Sequence, residues 1–280
     1  MIQHEDSPEV GETIQADGIG TNIHLAGPVD APVVLLLHGS GPGVTAWANW
    51  RLTIPALAER FRVVAPDIVG FGFTERPDNI TYDLPTWTSH AVGVLDALGV
   101  ERAHVVGNSF GGSLAMSLAI HHARRVDRLV LMGAAGVPFS LTPGLDAVWG
   151  YEPSVEAMEQ LLGIFAHDPS LVGRDLAELR YRASIRPGVQ EAFSSMFPAP
   201  RQAALDAITH PVEDIAAIGA PTLIVHGRDD RVIPPSNATD LLALIDDSRA
   251  HLFGRCGHWT QIEHADAFNR LVVGFLAEAR

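Results

Sequence analysis

Gly107-Asn108-Ser109-Phe110-Gly111 is the stretch on which the fold of this chain turns. Ala103-His104-Val105-Val106 before it has the makeup of a short buried strand, and Gly112 to Ile120 (GSLAMSLAI) after it that of a helix packed through small residues. Ser109 therefore sits on a sharp strand-to-helix corner. Such a corner imposes strained backbone angles on the serine and brings two chain segments into close approach, so both flanking positions must be glycine. A serine presented in this way is a candidate nucleophile.

Further short β-rich runs recur at Pro32 to His38, Phe61 to Ala65, Arg128 to Met132, Thr222 to His226 and His251 to Phe253, with helical stretches between them. This alternation predicts an α/β fold, a mostly parallel sheet with helices on both faces. After Met132 the strand spacing breaks. Helical patterns at Ser154 to Ala166, Leu171 to Ala183 and Gly188 to Met196, punctuated by Pro143, Pro153, Pro187, Pro198 and Pro200, fill the gap before Thr222. That is too long for a loop and sits above the sheet edge where open α/β folds bind ligands. The expected organisation is a core of residues 1–136 and 217–280 with a helical lid over 137–216.

The chain has 280 residues, 47% of them hydrophobic, enough for one large core. Its net charge of -14 makes phosphate backbones and anionic membranes poor partners. All 19 basic residues are arginine, so Schiff-base chemistry, a pyridoxal phosphate lysine and a P-loop lysine are excluded. The single cysteine, Cys256, permits no internal disulfide and no thiolate metal cluster. No metal or cofactor is expected. The acidic N-terminal residues lack the basic start and apolar core of a signal or transit peptide, and no apolar run is long enough for a membrane span. A cytoplasmic location is the expectation, and a homo-oligomer is compatible with it.

A serine needs a base, and the base needs an acid to orient it. With a nucleophile at such a corner, the expected chain order is serine, carboxylate, histidine. His226-Gly227-Arg228-Asp229-Asp230 places carboxylates at the end of a strand, with Asp230 the candidate acid and Asp229 its neighbour and alternative. Gly254-Arg255-Cys256-Gly257-His258-Trp259 is a glycine-bracketed loop that frees His258 to act as the base. Of the other histidines, His4, His121, His122 and His264 have the contexts of surface residues, and His38 ends a strand where it can brace the next loop. That loop, His38-Gly39-Ser40-Gly41-Pro42-Gly43, fails as a dinucleotide cradle, because Val44 stands where the third glycine belongs and Pro42 has no N–H. It reads instead as half of an oxyanion hole, the backbone N–H of Ser40 joining that of Phe110.

Taken together, H-G-S-G-P-G-V-T-A-W-A-N-W (38 to 50), G-N-S-F-G-G (107 to 112), T-P-G-L-D-A-V-W-G-Y (142 to 151), S-I-R-P-G (184 to 188), H-G-R-D-D (226 to 230) and C-G-H-W (256 to 259) resemble the meta-cleavage product hydrolases of bacterial aromatic degradation. The resemblance runs from about residue 30 to the C-terminus and is greatest to the branch handling 2-hydroxymuconic semialdehyde and 6-alkyl relatives. It implies an α/β-hydrolase fold with a helical lid and a triad of Ser109, Asp230 and His258. It also implies an anionic dienoate substrate, ketonised and then cleaved between C5 and C6, by way of an acyl-enzyme or a gem-diol, to a carboxylic acid and 2-hydroxypenta-2,4-dienoate. Asn49, Asn108, Arg186 and Trp259 match family positions that hold the 2-hydroxy and carboxylate end. Arg186 has independent support, since an anion approaching so acidic a protein needs a local cation that can grip it bidentately. Phe139, Leu145, Trp149 and Val232 are expected to set the space at C6. The motifs alone leave two other readings open, a carboxylesterase of the same fold and a non-catalytic ligand-binding homologue.

Overall fold

A computed structural model describes residues 7–279; His4 lies outside the described residues. Among them, eight strands form one sheet: β1 (Glu12–Ala16), β2 (Ile19–Ala26), β3 (Val33–Leu37), β4 (Arg62–Pro66), β5 (Ala103–Asn108), β6 (Val126–Met132), β7 (Thr222–Gly227) and β8 (Ser248–Phe253). Their order is β1-β2-β4-β3-β5-β6-β7-β8. The pairings from β4 through β8 are parallel, while β1–β2 and β2–β4 are antiparallel.

The six strands read from the sequence are all present, within a few residues of their expected limits. The first two were missed. Yet Asp17-Gly18 is a hairpin signal: both residues take positive φ (52° and 75°), the geometry of a turn whose twist matches that of the flanking strands. In the runs on either side, Ile14 and Ala16 and then Ile19, Ile23 and Leu25 fall on alternate positions, the period of a strand.

The parallel strands are buried on both faces, so their residues are apolar throughout. The pleat still separates two cores. Leu35, Leu37, Val105, Leu129 and Leu131 contribute to one, whereas Val34, Leu36, Val106, Val130 and Met132 contribute to the other. The helix Phe110–His121 is buried along nearly its whole length under the first of these faces, which is why its sequence has no polar stripe.

Strand order reverses between β3 and β5: the chain leaves β3 for β4 on one side and returns to place β5 on the other. The crevice beyond the C-terminal ends of these two strands is a topological switch point, the usual ligand position in an open α/β sheet. Ser40 follows β3 and Ser109 follows β5, so both face that crevice by topology alone.

Between β6 and β7 the described chain forms six α-helices: Pro143–Trp149, Val155–Phe165, Arg174–Ser184, Val189–Met196, Arg201–Asp206 and Val212–Ala216. Three matched the helical patterns in the sequence, and the three others are short and hidden among prolines. Their apolar residues, including Trp149, Leu161, Phe165 and Phe193, join the same core as the helix Phe110–His121 rather than forming a separate one. No helix among the described residues is long and apolar enough to cross a membrane.

Candidate active site

Ser109 has φ 55° and ψ -117°, a combination that costs of order 1–3 kcal/mol and persists only where the surroundings enforce it. They do so through backbone. The Ser109 N–H donates to Met132 O (2.9 Å), and its carbonyl accepts from Gly112 (2.9 Å) and Ala135 (3.1 Å). A Cβ on Gly107 would collide with the Gly111 carbonyl, and one on Gly111 with the carbonyls of Leu37 and His38. The glycines flanking the serine are thus required by close approach. Among the described residues, the Ser109 hydroxyl has no hydrogen-bond partner, which leaves it available.

The β3 loop lies against this corner: a Cβ on Gly39 would come 3.4 Å from Ser109 Cβ. Neither the Ser40 N–H nor the Phe110 N–H is engaged by another described residue, so two backbone donors stand free beside the serine. His38 braces the loop as expected. Its Nδ1 lies 2.8 Å from Gly39 O and its Nε2 accepts from the Ile68 N–H (3.0 Å), and burial lowers its pKa to about 4, so the ring is neutral.

Asp230 and His258 meet, with Nδ1 2.7 Å from Oδ2. The other carboxylate oxygen accepts from the N–H groups of Val232 (2.8 Å) and Ile233 (3.0 Å). Burial by itself raises the Asp230 carboxyl; the charge and hydrogen bond of His258, together with those of His226, more than reverse this and hold it below the usual carboxylate range. The pair stands over Gly133, where a Cβ would be 3.3 Å from the imidazole and 3.5 Å from Asp230 Oδ2. Gly133 directly follows Met132, which holds the serine N–H, so imidazole and serine converge on one short backbone segment. Asp229 points elsewhere, to Arg228 and the Cys256 N–H, and caps the loop. Burial pushes the Cys256 thiol up to about 12, so it presents no thiolate.

The residues expected to line the pocket differ in their surroundings. Asn49 and Asn108 brace each other: Asn49 Oδ1 accepts from Asn108 Nδ2 (3.0 Å) and from the Gly39 N–H (2.9 Å), while Asn108 Oδ1 is buried without a partner. Arg186 donates to Gly72 O (3.4 Å) and stacks on the Phe73 ring (3.8 Å), with no carboxylate within ion-pair distance among the described residues. Arg76 also donates to Gly72 O (3.0 Å), so two guanidinium groups share one carbonyl. Leu145, Val232 and Trp149 are buried in the core cluster, Phe139 only partly. Trp149 reaches the loop after β3 directly, its indole N–H donating to Ser40 Oγ (2.9 Å) while its ring stacks on Phe197 (4.3 Å).

Three residues escaped the sequence reading. Phe165, from the helical insertion, stacks on Trp259 (4.9 Å) and packs on His258 (5.8 Å), and its carbonyl accepts the His258 N–H (2.7 Å). Arg76 and His226 were passed over because neither has a distinguishing local context, although His226 stood within a quoted motif. His264, expected at the surface, is half-buried, with its ring on Phe253 (5.1 Å) and Nε2 3.2 Å from Arg255 O.

Residues 32–265 match the α/β hydrolase fold family. The chain belongs to that family. Meta-cleavage product hydrolases are among its relatives. It is 56% identical over 279 residues to a 2-hydroxymuconate semialdehyde hydrolase of Pseudomonas sp. strain CF600, covering 100% of this chain and 98% of the relative. It is 58% identical over 269 residues to a 2-hydroxy-6-oxo-2,4-heptadienoate hydrolase of Pseudomonas putida, covering 96% and 97%. The solved structure of the meta-cleavage product hydrolase from Pseudomonas fluorescens IP01 superposes with a TM-score of 0.96 at 57% identity, over 98% of this chain and 100% of the other.

Proposed function

We propose that this enzyme hydrolyses the C5–C6 carbon–carbon bond of 2-hydroxy-6-oxo-hexa-2,4-dienoates, with hydrogen or a short alkyl group at C6. Ser109, Asp230 and His258 act as nucleophile, acid and base. After ketonisation at C5, Ser109 Oγ adds to C6 as His258 takes its proton, and the oxyanion is received by the N–H groups of Ser40 and Phe110. The C5–C6 electron pair departs through the conjugated 2-oxo acid onto its 2-oxygen, and the dienolate leaves as 2-hydroxypenta-2,4-dienoate on protonation of that oxygen. Water then cleaves the acyl group from Ser109 as a carboxylic acid.

The observation that carries this reading over an esterase is Arg186, a half-buried guanidinium without a carboxylate partner. Burial lowers its pKa against the opposing charges of Glu9 and Asp67, neither of which pairs with it directly, and an anionic dienoate supplies a direct carboxylate partner. The helices of residues 137–216 serve as the lid, with Phe139, Leu145, Trp149 and Val232 limiting the C6 substituent and Asn49, Asn108 and Trp259 holding the opposite end. A cytoplasmic location and a homo-oligomeric state complete the proposal; cell fractionation and analytical ultracentrifugation test them.

The decisive assay follows decay of the yellow ring-fission dienolate with C6-hydrogen, methyl, isopropyl and phenyl substrates beside a p-nitrophenyl ester. A hydrophobic pocket grades substrates by about 1–3 kcal/mol per methylene, so kcat/KM varies modestly among the small substituents and drops steeply for phenyl. Ester turnover without dienolate decay would leave the carboxylesterase reading in its place.

A further inference from the structure

His226 occupies the last turn of pleat in β7, paired with Leu252 of β8, and its side chain is 1% exposed. Its Nε2 lies 3.2 Å from Asp230 Oδ2 and 3.1 Å from Ile233 O. An ionised carboxylate and a carbonyl oxygen can only accept, so Nε2 must carry the proton and share it between them. Asp230 therefore has four donors: Val232 and Ile233 N–H on Oδ1, and His258 and His226 on Oδ2.

We propose that His226 is a positioning residue, whose Nε2–H orients the Asp230 carboxylate toward His258 and shares the charge on Oδ2. Two amides on Oδ1 leave the carboxylate free to pivot about that oxygen, swinging Oδ2 off the imidazole. The His226 donor opposes this swing, and its tie to Ile233 O fixes it to the same loop that supplies the amides. The inference rests on the reading of Asp230 as the triad acid.

The titratable groups around the pair are few. His226 faces it from β7, and His258 and Cys256 from the loop after β8. Asp229 and Glu263 act on that loop from its outer side, where Asp229 pairs with Arg228 and Glu263 accepts from the N–H groups of Gly257 (2.7 Å), His167 (2.7 Å) and Asp168 (3.0 Å). β6 contributes only backbone, at Gly133. With the His226 donor gone, Oδ2 is a stronger acceptor for its one remaining partner. The Asp230–His258 pair then keeps its proton to higher pH.

The test compares His226→Met, similar in length but without a donor, with His226→Gln, whose amide nitrogen reaches the same place. His226→Met lowers kcat about 10- to 100-fold with KM changed by less than about 2-fold, and the acid limb of the kcat/KM profile moves to higher pH. His226→Gln recovers kcat to within about 3-fold and restores the limb. If His226→Met does not fold, His226→Asn, polar but too short to reach Oδ2, takes its place with the same criteria. Wild-type kcat and pH profile in a folded donor-less variant overturn the inference. So does a Gln variant as impaired as the Met variant, or failure of both Met and Asn variants to fold, which makes the residue structural. Asp230→Asn run alongside separates the two levels: an active Asp230→Asn protein removes the triad reading, whereas an inactive one beside an unaffected His226→Met removes this inference alone.

Discussion

The serine corner and the carboxylate loop hold their functional side chains in opposite ways. Ser109 is fixed entirely by backbone, through a strained φ/ψ pair and glycines in van der Waals contact, and its hydroxyl is left without a partner. Asp230 sits in an ordinary loop and is fixed by its side chain, with both oxygens saturated by donors. The difference follows from what each group must do in the proposed reaction. A nucleophile has to change partners during turnover, and a hydrogen bond strong enough to hold it would compete with attack. An acid that orients a base keeps the same partner throughout, so saturating it lowers its freedom at no chemical cost.

The contrast is broken most severely at the serine. Ser109→Ala deletes the unpartnered hydroxyl and leaves its backbone cage intact, so turnover falls by about 10⁴-fold or more while the thermal midpoint stays near that of the wild type. Single-turnover decay of the dienolate checks the first and calorimetry the second; near-wild-type turnover removes Ser109 as nucleophile. On the other side, Asp230→Asn exchanges an acceptor-only oxygen for an amide facing the His258 N–H, and activity drops about 10³- to 10⁴-fold. Asp229→Asn, which touches only a loop cap, costs less than about 10-fold, and the reverse ranking would move the acid role to Asp229.

A smaller effect is expected at a distance from both. Arg186→Gln keeps a donor for Gly72 but removes the charge, so kcat/KM for the dienoate falls about 10- to 100-fold, chiefly through KM, while a neutral p-nitrophenyl ester is turned over unchanged. Equal losses on both substrates would show that Arg186 supports the fold instead of an anion.

Acid pH sharpens the comparison, because the two sides titrate in different ranges. Burial lowers His38 and His90 to about 4, and burial raises Asp67 to about 6. Between pH 6 and 4 the unfolded chain takes up protons at both histidines that the folded chain refuses, while folded Asp67 takes up one that the unfolded chain refuses. Two histidines outweigh one carboxylate, and His24 and His210, also lowered chiefly by burial, act in the same sense. Stability therefore falls as the pH drops through this window, with His38, His90 and Asp67 together contributing up to about 1.4 kcal/mol per pH unit. Asp230, held low, adds its loss only below about pH 4. Burial of His38, which braces the loop carrying Ser40, thus costs stability at a higher pH than the protonation of Asp230 does. Urea midpoints at pH 6.5, 5.5 and 4.5 measure the slope, and a flat or rising series contradicts it.

Much was legible in the chain. The glycine-flanked serine and the apolar strand runs are local patterns, because each is dictated by the sterics and burial of a few consecutive residues, whereas Asp230 and His258 were reached only through the chain order expected of such a corner. Asp17-Gly18 is legible too as a two-residue turn, between strands that belong to the antiparallel margin of the sheet. What no local pattern encodes is which distant groups meet. Trp149 and Ser40 are separated by 109 residues and Asn108 and Asn49 by 59. Even the four-residue separation of His226 and Asp230 acquires its meaning only when the loop folds back to set Ile233 O beside the ring. The sequence by itself determined the fold class, the strained corner and the residue types available for chemistry, because steric exclusion and burial act residue by residue. The tertiary structure alone decided which donor faces which acceptor, because a hydrogen bond depends on tenths of an ångström that only the packed core can set.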